Sequence, residues 1–300
     1  MDTLLRRVIG GIQNGFGRSA SLLRVIERRP ELRVTIEELP RVLAAGCVAR
    51  WHEWGAASAL HWPPRARGWI TGWRYQAGRY SSFHLMREEF AHFGYCRRDD
   101  EWECDIQDVV GLSASKSDLA SFSSLDAMVE MKAPELIDPV TEEKLRENLA
   151  WREVRILKPE TSDFFARYVW DGRLFLINAG GSHHFAAARY LAARLGTSVP
   201  LRGTLRTYGI NEMALASLQR DYEMFVIGDT PCATNAFREA MARFRATYLW
   251  QFLPLPYTDT HRAILLPVAE PRSATVAHVL RGAGFFDLGA HLRGMCAHMT

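Results

Sequence analysis

Five consecutive residues, Gly180, Gly181, Ser182, His183 and His184, carry the densest potential for chemistry in this 300-residue chain. Paired glycines between a strand and a helix let a ligand approach the backbone. The first N–H groups of a helix have no intrahelical acceptor, and the helix dipole is positive at that end. Such a turn suits an anion such as phosphate. Histidine, with an ordinary pKa near 6.5, accepts a proton, binds phosphate or ligates a metal. His183 and His184 are therefore the candidate acid/base groups, and Gly180, Gly181, Ser182 and His183 the candidate phosphate ligands. The competing reading is a plain helix that Ser182 caps, with both histidines partly exposed.

The elements that must position this turn follow from the surrounding pattern. Residues 173–178 read as a strand that the glycines break. A helix is predicted over 182–195, with Phe185, Ala188, Leu191 and Leu195 on its buried face and Gly196 as its stop. Val154-Arg155-Ile156-Leu157 reads as a strand closed by Pro159, and residues 162–170 read as a helix before the Asp171-Gly172 turn. Residues 199–205 form another strand, and Asn211 caps a helix to about 225. Upstream, residues 1–45 read as helical, with a helix over 21–29 that Pro30 ends and a capping box at Thr35 opening another short segment. Thr141 caps a charged helix over 141–148, and residues 111–134 form a Ser-, Ala- and Asp-rich boundary. In the tail, Phe237, Ala240, Met241 and Phe244 line a helix, 247–253 and 263–268 are strand-like, and Ser273 caps a last helix.

The segment around Gly180 resembles the ParB/sulfiredoxin-like superfamily. Sulfiredoxins carry Gly-Gly-Cys-His-Arg at this strand-to-helix turn and ParB proteins Gly-Glu-Arg-Arg, where this chain has Gly180-Gly181-Ser182-His183-His184. Ile156-Leu157-Lys158-Pro159 resembles the family's leading Ile-x-Pro strand, and Val199-Pro200-Leu201 its Val-Pro-Val strand. Residues 212–221, ending Leu218-Gln219-Arg220-Asp221, resemble the ParB helix with the motif Glu-Asn-Leu-Gln-Arg. The ordered set spans residues 152–225, about a quarter of the chain. The resemblance implies a nucleotide triphosphate on the turn, with Gly180, Gly181 and His183 meeting phosphates and Arg220 approaching from the second helix. In many members Mg²⁺ accompanies the nucleotide. Ser182 stands where sulfiredoxins have the nucleophilic cysteine and ParB its catalytic Glu, so neither activity is expected unchanged. His184 in place of a phosphate-binding Arg, and Ala216-Ser217 in place of Glu-Asn, argue against ParB-type CTP binding and Mg²⁺-dependent hydrolysis. Some relatives phosphorylate small molecules, and a Gly-His-His turn occurs among them.

Other constellations are less specific. His84, His92, Cys96 and Cys104 have zinc-ligand types but match no standard finger spacing, so no metal site is assigned. Residues 46–105 hold Trp51, Trp54, Trp62, Trp69, Trp73 and Trp102, with Arg65, Arg67, Arg74 and Arg79 interleaved. That mixture is base-stacking chemistry or, more simply, core aromatics with a basic rim. Asp99, Asp100, Glu101 and Glu103 read as a solvated acidic loop.

Composition narrows the class. Hydrophobic residues make up 48% and charged residues 24%, as in soluble globular proteins, and the formal net charge is +3. No apolar run approaches the roughly 20 residues of a membrane span. Five cysteines, an odd number, and a first segment without a signal-peptide core predict a cytoplasmic protein. The expectation is an α+β protein: a Trp-rich α/β region at 1–134, a ParB/sulfiredoxin-like mixed core at 135–228, and an α/β extension at 229–300. It binds a nucleotide or other phosphorylated ligand, with phosphoryl transfer or hydrolysis if a reaction follows. The alternative is a catalytically inactive ParB-like interaction or DNA-associated module.

Overall fold

The structure is a computed structural model, and it describes residues 22–55 and 67–297. Helices and strands are mixed in an α+β arrangement with two separate five-stranded sheets. The strands are β1 (Trp69–Gln76), β2 (Arg79–Met86), β3 (Gly94–Asp105), β4 (Val109–Leu112) and β5 (Phe164–Tyr168). They continue as β6 (Leu174–Ile177), β7 (Pro200–Ile210), β8 (Tyr222–Gly228), β9 (Tyr248–Phe252) and β10 (His261–Pro267). Two compact units divide them, one containing residues 38–52 and 95–209 and the other residues up to 37, 53–94 and 210 onward. Residues 1–21, Trp62 and Arg65 lie outside the described residues, as do the sequence readings that fall on them.

The first unit is built on a mixed sheet of order β3-β7-β5-β6-β4. β5 pairs antiparallel with β6 and parallel with β7, and β4 pairs parallel with β6. Both faces of the centre are apolar. Phe165, Leu174 and Leu176 join one core, while Ala166, Tyr168 and Phe175 pack on the other side. Against the larger core lie α2 (Leu125–Lys132), α3 (Glu142–Leu149) and α4 (Ser182–Leu195), the short helix Glu88–Ala91 of the other unit counting as α1. In α4 the residues Phe185, Ala188 and Leu191 are buried, and Ala186, Ala187 and Ala192 keep the helix close to its neighbours. Gly196 ends it in the left-handed region at φ 65°. Residues 111–134 run through this unit, and Leu125, Met128 and Val129 sit in the same core as α4.

Several sequence expectations are corrected here. Residues 164–168 are strand β5, not a helix. Alternate residues face two apolar layers, and a segment buried on both faces has no single apolar stripe to betray its period. Residues Arg155–Leu157 make one 3₁₀ turn instead of a strand, anchored by buried Ile156. The resemblance to the family's leading strand is thus one of sequence and not of local geometry. Asp99, Asp100, Glu101 and Glu103 lie within β3 and not in a loop. The capping box at Thr35 opens no helix, since residues 33–42 are extended or irregular.

The second unit holds an antiparallel sheet of order β2-β1-β9-β10-β8. Ala77 and Gly78, at φ 51° and 81°, close the β1–β2 hairpin in the manner of a two-residue turn. Asn211 caps α5 (Glu212–Asp221) through Met213 N and Ala214 N. That helix ends at Asp221, and residues 222–228 form β8, because Tyr222, Phe225, Val226 and Ile227 suit a buried strand paired with β10 at the end of the sheet. α6 (Pro231–Phe244) and α7 (Pro271–Gly282) cover one face through Phe237, Met241, Val276 and Leu280. Ser273 is not the cap of α7; Glu270 is, and the Ser273 hydroxyl is buried and donates to Thr247 O at 2.5 Å. α8 (Leu288–Ala297) closes the described chain. No helix of the described residues is long and apolar enough to cross a membrane.

Candidate functional site

The strand–Gly–Gly–helix junction sits where the sequence puts it, at the end of β6 and the start of α4. Asn178 is the post that holds it. Its side chain is buried, accepts from Ser113 N and Ala114 N at 3.2 Å each, and donates to Ala114 O at 3.0 Å and Gly180 O at 2.9 Å. Nearby, the Asp163 carboxylate accepts from Ala179 N at 3.2 Å, and burial raises its pKa. The peptide bonds entering the turn are thereby oriented from both sides.

The two glycines differ in what they do. Gly181 is the N-cap of α4 at φ 70°, and a Cβ there would stand 2.6 Å from the carbonyl of Glu153. Only glycine satisfies both the backbone angle and the close approach of the 151–154 turn. Gly180 would place a Cβ 3.4 Å from Glu153 Oε2, which is ordinary contact. Ser182 is therefore not the cap. It is the first helical residue, and its hydroxyl donates to Ser115 Oγ at 3.0 Å. Among the described residues, the amides of Gly180, Gly181, Ser182 and His183 have no hydrogen-bond acceptor, whereas Phe185 N begins the helical ladder on Gly181 O.

Those amides open into a cleft of about 470 Å³ lined by both glycines, Ser182, His183 and His184. Three segments complete it. Residues 114–116 bring Ser115 and Lys116, and just beyond them Ser117 Oγ lies 2.9 Å from His183 Nε2. Lys132 and Glu135 come from the end of α2 and the turn after it, and Trp151 and Glu153 from the turn after α3. Formal charges in the cleft cancel: Lys116 and Lys132 face Glu135 and Glu153. The amides and the two lysines are the positive groups of the cleft, and the Glu153 carboxylate stands beside Gly180.

His184 is the more tightly posed histidine. Its ring stacks on Trp151 at 4.3 Å and 14°. Its Nδ1 lies 2.9 Å from Asn148 Oδ1. Asn148 is 1% exposed, and its amide nitrogen donates to Leu136 O and Lys144 O, both at 2.9 Å. With both of those protons committed, Asn148 Oδ1 is an acceptor, so His184 Nδ1 carries the proton. In the neutral ring Nε2 is then the basic atom. Burial lowers the pKa of His184, with His183 adding to the effect, and burial followed by Lys116 lowers that of His183. Both shifts favour the neutral ring, the state a general base requires.

Arg220 belongs to the other unit. It is exposed on α5, donates to Ser217 Oγ at 2.9 Å and lies 3.7 Å from Asp221 Oδ1. Nothing in its own unit ties it to phosphate. The His84, His92, Cys96 and Cys104 set is not gathered, and no group of three or more metal-ligating side chains occurs among the described residues. Of the aromatic stretch, Trp51 and Trp54 are core residues, whereas Trp69 is exposed. Sequence reasoning missed Asn148, Asn178, Trp151, Ser117 and the two lysines. Only Asn178, two residues before the glycine pair, left a local signal.

Residues 99–300 match the profile of a family of unknown function, DUF6685, and the chain belongs to that family. No curated protein and no solved structure matches the chain.

Proposed function

We propose that this chain binds a phosphorylated small molecule or nucleotide at the turn formed by residues 180–183. The observation that carries the reading is the run of amides without acceptors, opening into a cleft beside Lys116 and Lys132. Backbone donors at a helix start hold phosphate oxygens without a bulky side chain in the way. Ser182 and His183 lie beside the same oxygens. Glu135 and Glu153 line the same cleft, with the Glu153 carboxylate beside Gly180, and suit hydroxyl or amine groups of the remaining ligand. If transfer or hydrolysis follows, His184 is the base through Nε2, held by Asn148 and Trp151. The ParB/sulfiredoxin-like resemblance of residues 152–225 belongs to the same proposal. It is supported by the strand–Gly–Gly–helix geometry and weakened by the 3₁₀ turn at Arg155–Leu157.

The test is calorimetry with nucleoside mono-, di- and triphosphates and sugar phosphates, with and without Mg²⁺. At least one ligand binds the wild type, and His183→Ala weakens it about tenfold or more, the loss of one charge-assisted or strong polar contact. Absence of binding across the panel, or unchanged affinity in His183→Ala, refutes the reading.

A further inference from the structure

A second cleft, of about 230 Å³, lies within the unit that contains the antiparallel sheet. Its floor is one face of that sheet. Trp73 on β1 is paired with Tyr248 on β9, and Trp250 on β9 with Ile264 on β10. Thr234, Asn235 and Arg238 of α6 form the opposite wall. Arg262, on β10, is the polar residue at its base, and it is only 8% exposed.

The bonding of Arg262 is incomplete. Its Nη2 is ion-paired with Asp229, and its guanidinium carbon lies 3.5 Å from the centre of the Phe252 ring and 4.3 Å from that of Trp250. Its Nη1 is buried and has no hydrogen-bond partner. Buried donors are almost always paired, so this guanidinium nitrogen, covered by side chains beside the cleft, is a donor that an entering acceptor satisfies once those side chains shift. Among the lining residues, Arg238 and Arg262 are cations and Asp229 is the anion, which leaves one positive charge in excess. Arg238 itself stands over the Trp73 ring at 5.3 Å.

Size and lining define the ligand. A cavity of about 150 Å³ holds a benzene ring, so this one has room for a ring with a short acidic substituent and is too small for a drug-sized molecule. Aromatic walls favour an offset or edge-on ring, and a guanidinium edge favours a planar carboxylate. We propose that this cleft is a binding site for a small aromatic carboxylate, with the ring against Trp73 and Tyr248 and the carboxylate on the Arg238 and Arg262 guanidinium groups, reaching Arg262 Nη1 as the side chains over it shift. The proposal is independent of the turn at residues 180–183.

The experiment is calorimetry on the full chain with benzoate, phenylacetate and indole-3-acetate, each beside its neutral amide. At least one acid binds, and its amide binds tenfold or more weakly. Arg262→Lys keeps a cation for Asp229 but loses the planar fork, and it weakens the acid tenfold or more. Should that variant fail to fold by circular dichroism, Thr234→Trp decides. It fills the cleft from the helix side, leaves the Arg262–Asp229 pair intact and abolishes binding. The proposal is overturned if none of the acids binds, if acid and amide bind alike, or if binding survives Thr234→Trp.

Discussion

Replacing Gly181 by alanine separates two demands that the turn makes on one residue, and a second glycine supplies the control. Gly181 and Gly196 bracket α4, and both are left-handed, at φ 70° and 65°. An L-residue in that region costs roughly 1–2 kcal/mol. The gain from a stiffer unfolded chain, about 0.4–1 kcal/mol, is common to both sites. Their surroundings differ. A Cβ at Gly196 meets nothing within 4 Å, while one at Gly181 meets Glu153 C and O at 2.6 Å and Val154 N at 2.9 Å. Those are backbone atoms, so relief requires the 151–154 turn to move, an overpacking penalty of about 1–3 kcal/mol. Gly196→Ala is therefore expected to destabilise by about 1 kcal/mol. Gly181→Ala should exceed it by about 1–3 kcal/mol. Urea denaturation followed by circular dichroism measures both. Gly180→Ala, whose Cβ stands 3.4 Å from a carboxylate oxygen, is the mild third member of the series. Because the turn carries Trp151 and Glu153, Gly181→Ala also weakens the ligand found by calorimetry. Equal losses at 181 and 196 would refute the claim that Glu153 backs directly onto the junction.

Two further outcomes test the histidine site. Protonation of His184 changes the emission of the Trp151 ring stacked on it, so the pH-dependent difference between wild type and Trp151→Phe has a midpoint below 6.5, and a midpoint at or above 6.5 contradicts the burial argument. The sign for stability is the same: a histidine whose pKa falls on folding contributes fully above about 6.5, and that contribution is lost as pH drops from there through the folded-state value. Asn148→Leu leaves Leu136 O, Lys144 O and His184 Nδ1 without their partner, and is expected to destabilise by about 2–4 kcal/mol in thermal or urea melts. A loss under about 1 kcal/mol would mean that water replaces the amide.

What the chain declares locally, the structure repeats. The helix over 182–195, its glycine stop, the Thr141 and Asn211 caps and the Asp171 turn all rest on contacts within a few residues, and each is legible from residue type and spacing. Where residue type was read without its partners, the reading failed. Residues 164–168 become a strand because β6 and β7 flank them, and 222–228 because β10 pairs with them. The glycine pair likewise announces the turn from strand to helix. That Gly181 alone needs to be glycine depends on Glu153, 28 positions away. His184 was visible as a histidine, but its tautomer, its lowered pKa and its stacking come from Asn148 and Trp151, which no periodicity connects to it. The physical reason is range. Backbone propensity and capping act over about one helical turn, whereas burial, hydrogen-bond partners and charge neighbours are set by segments that meet only once the sheet has formed.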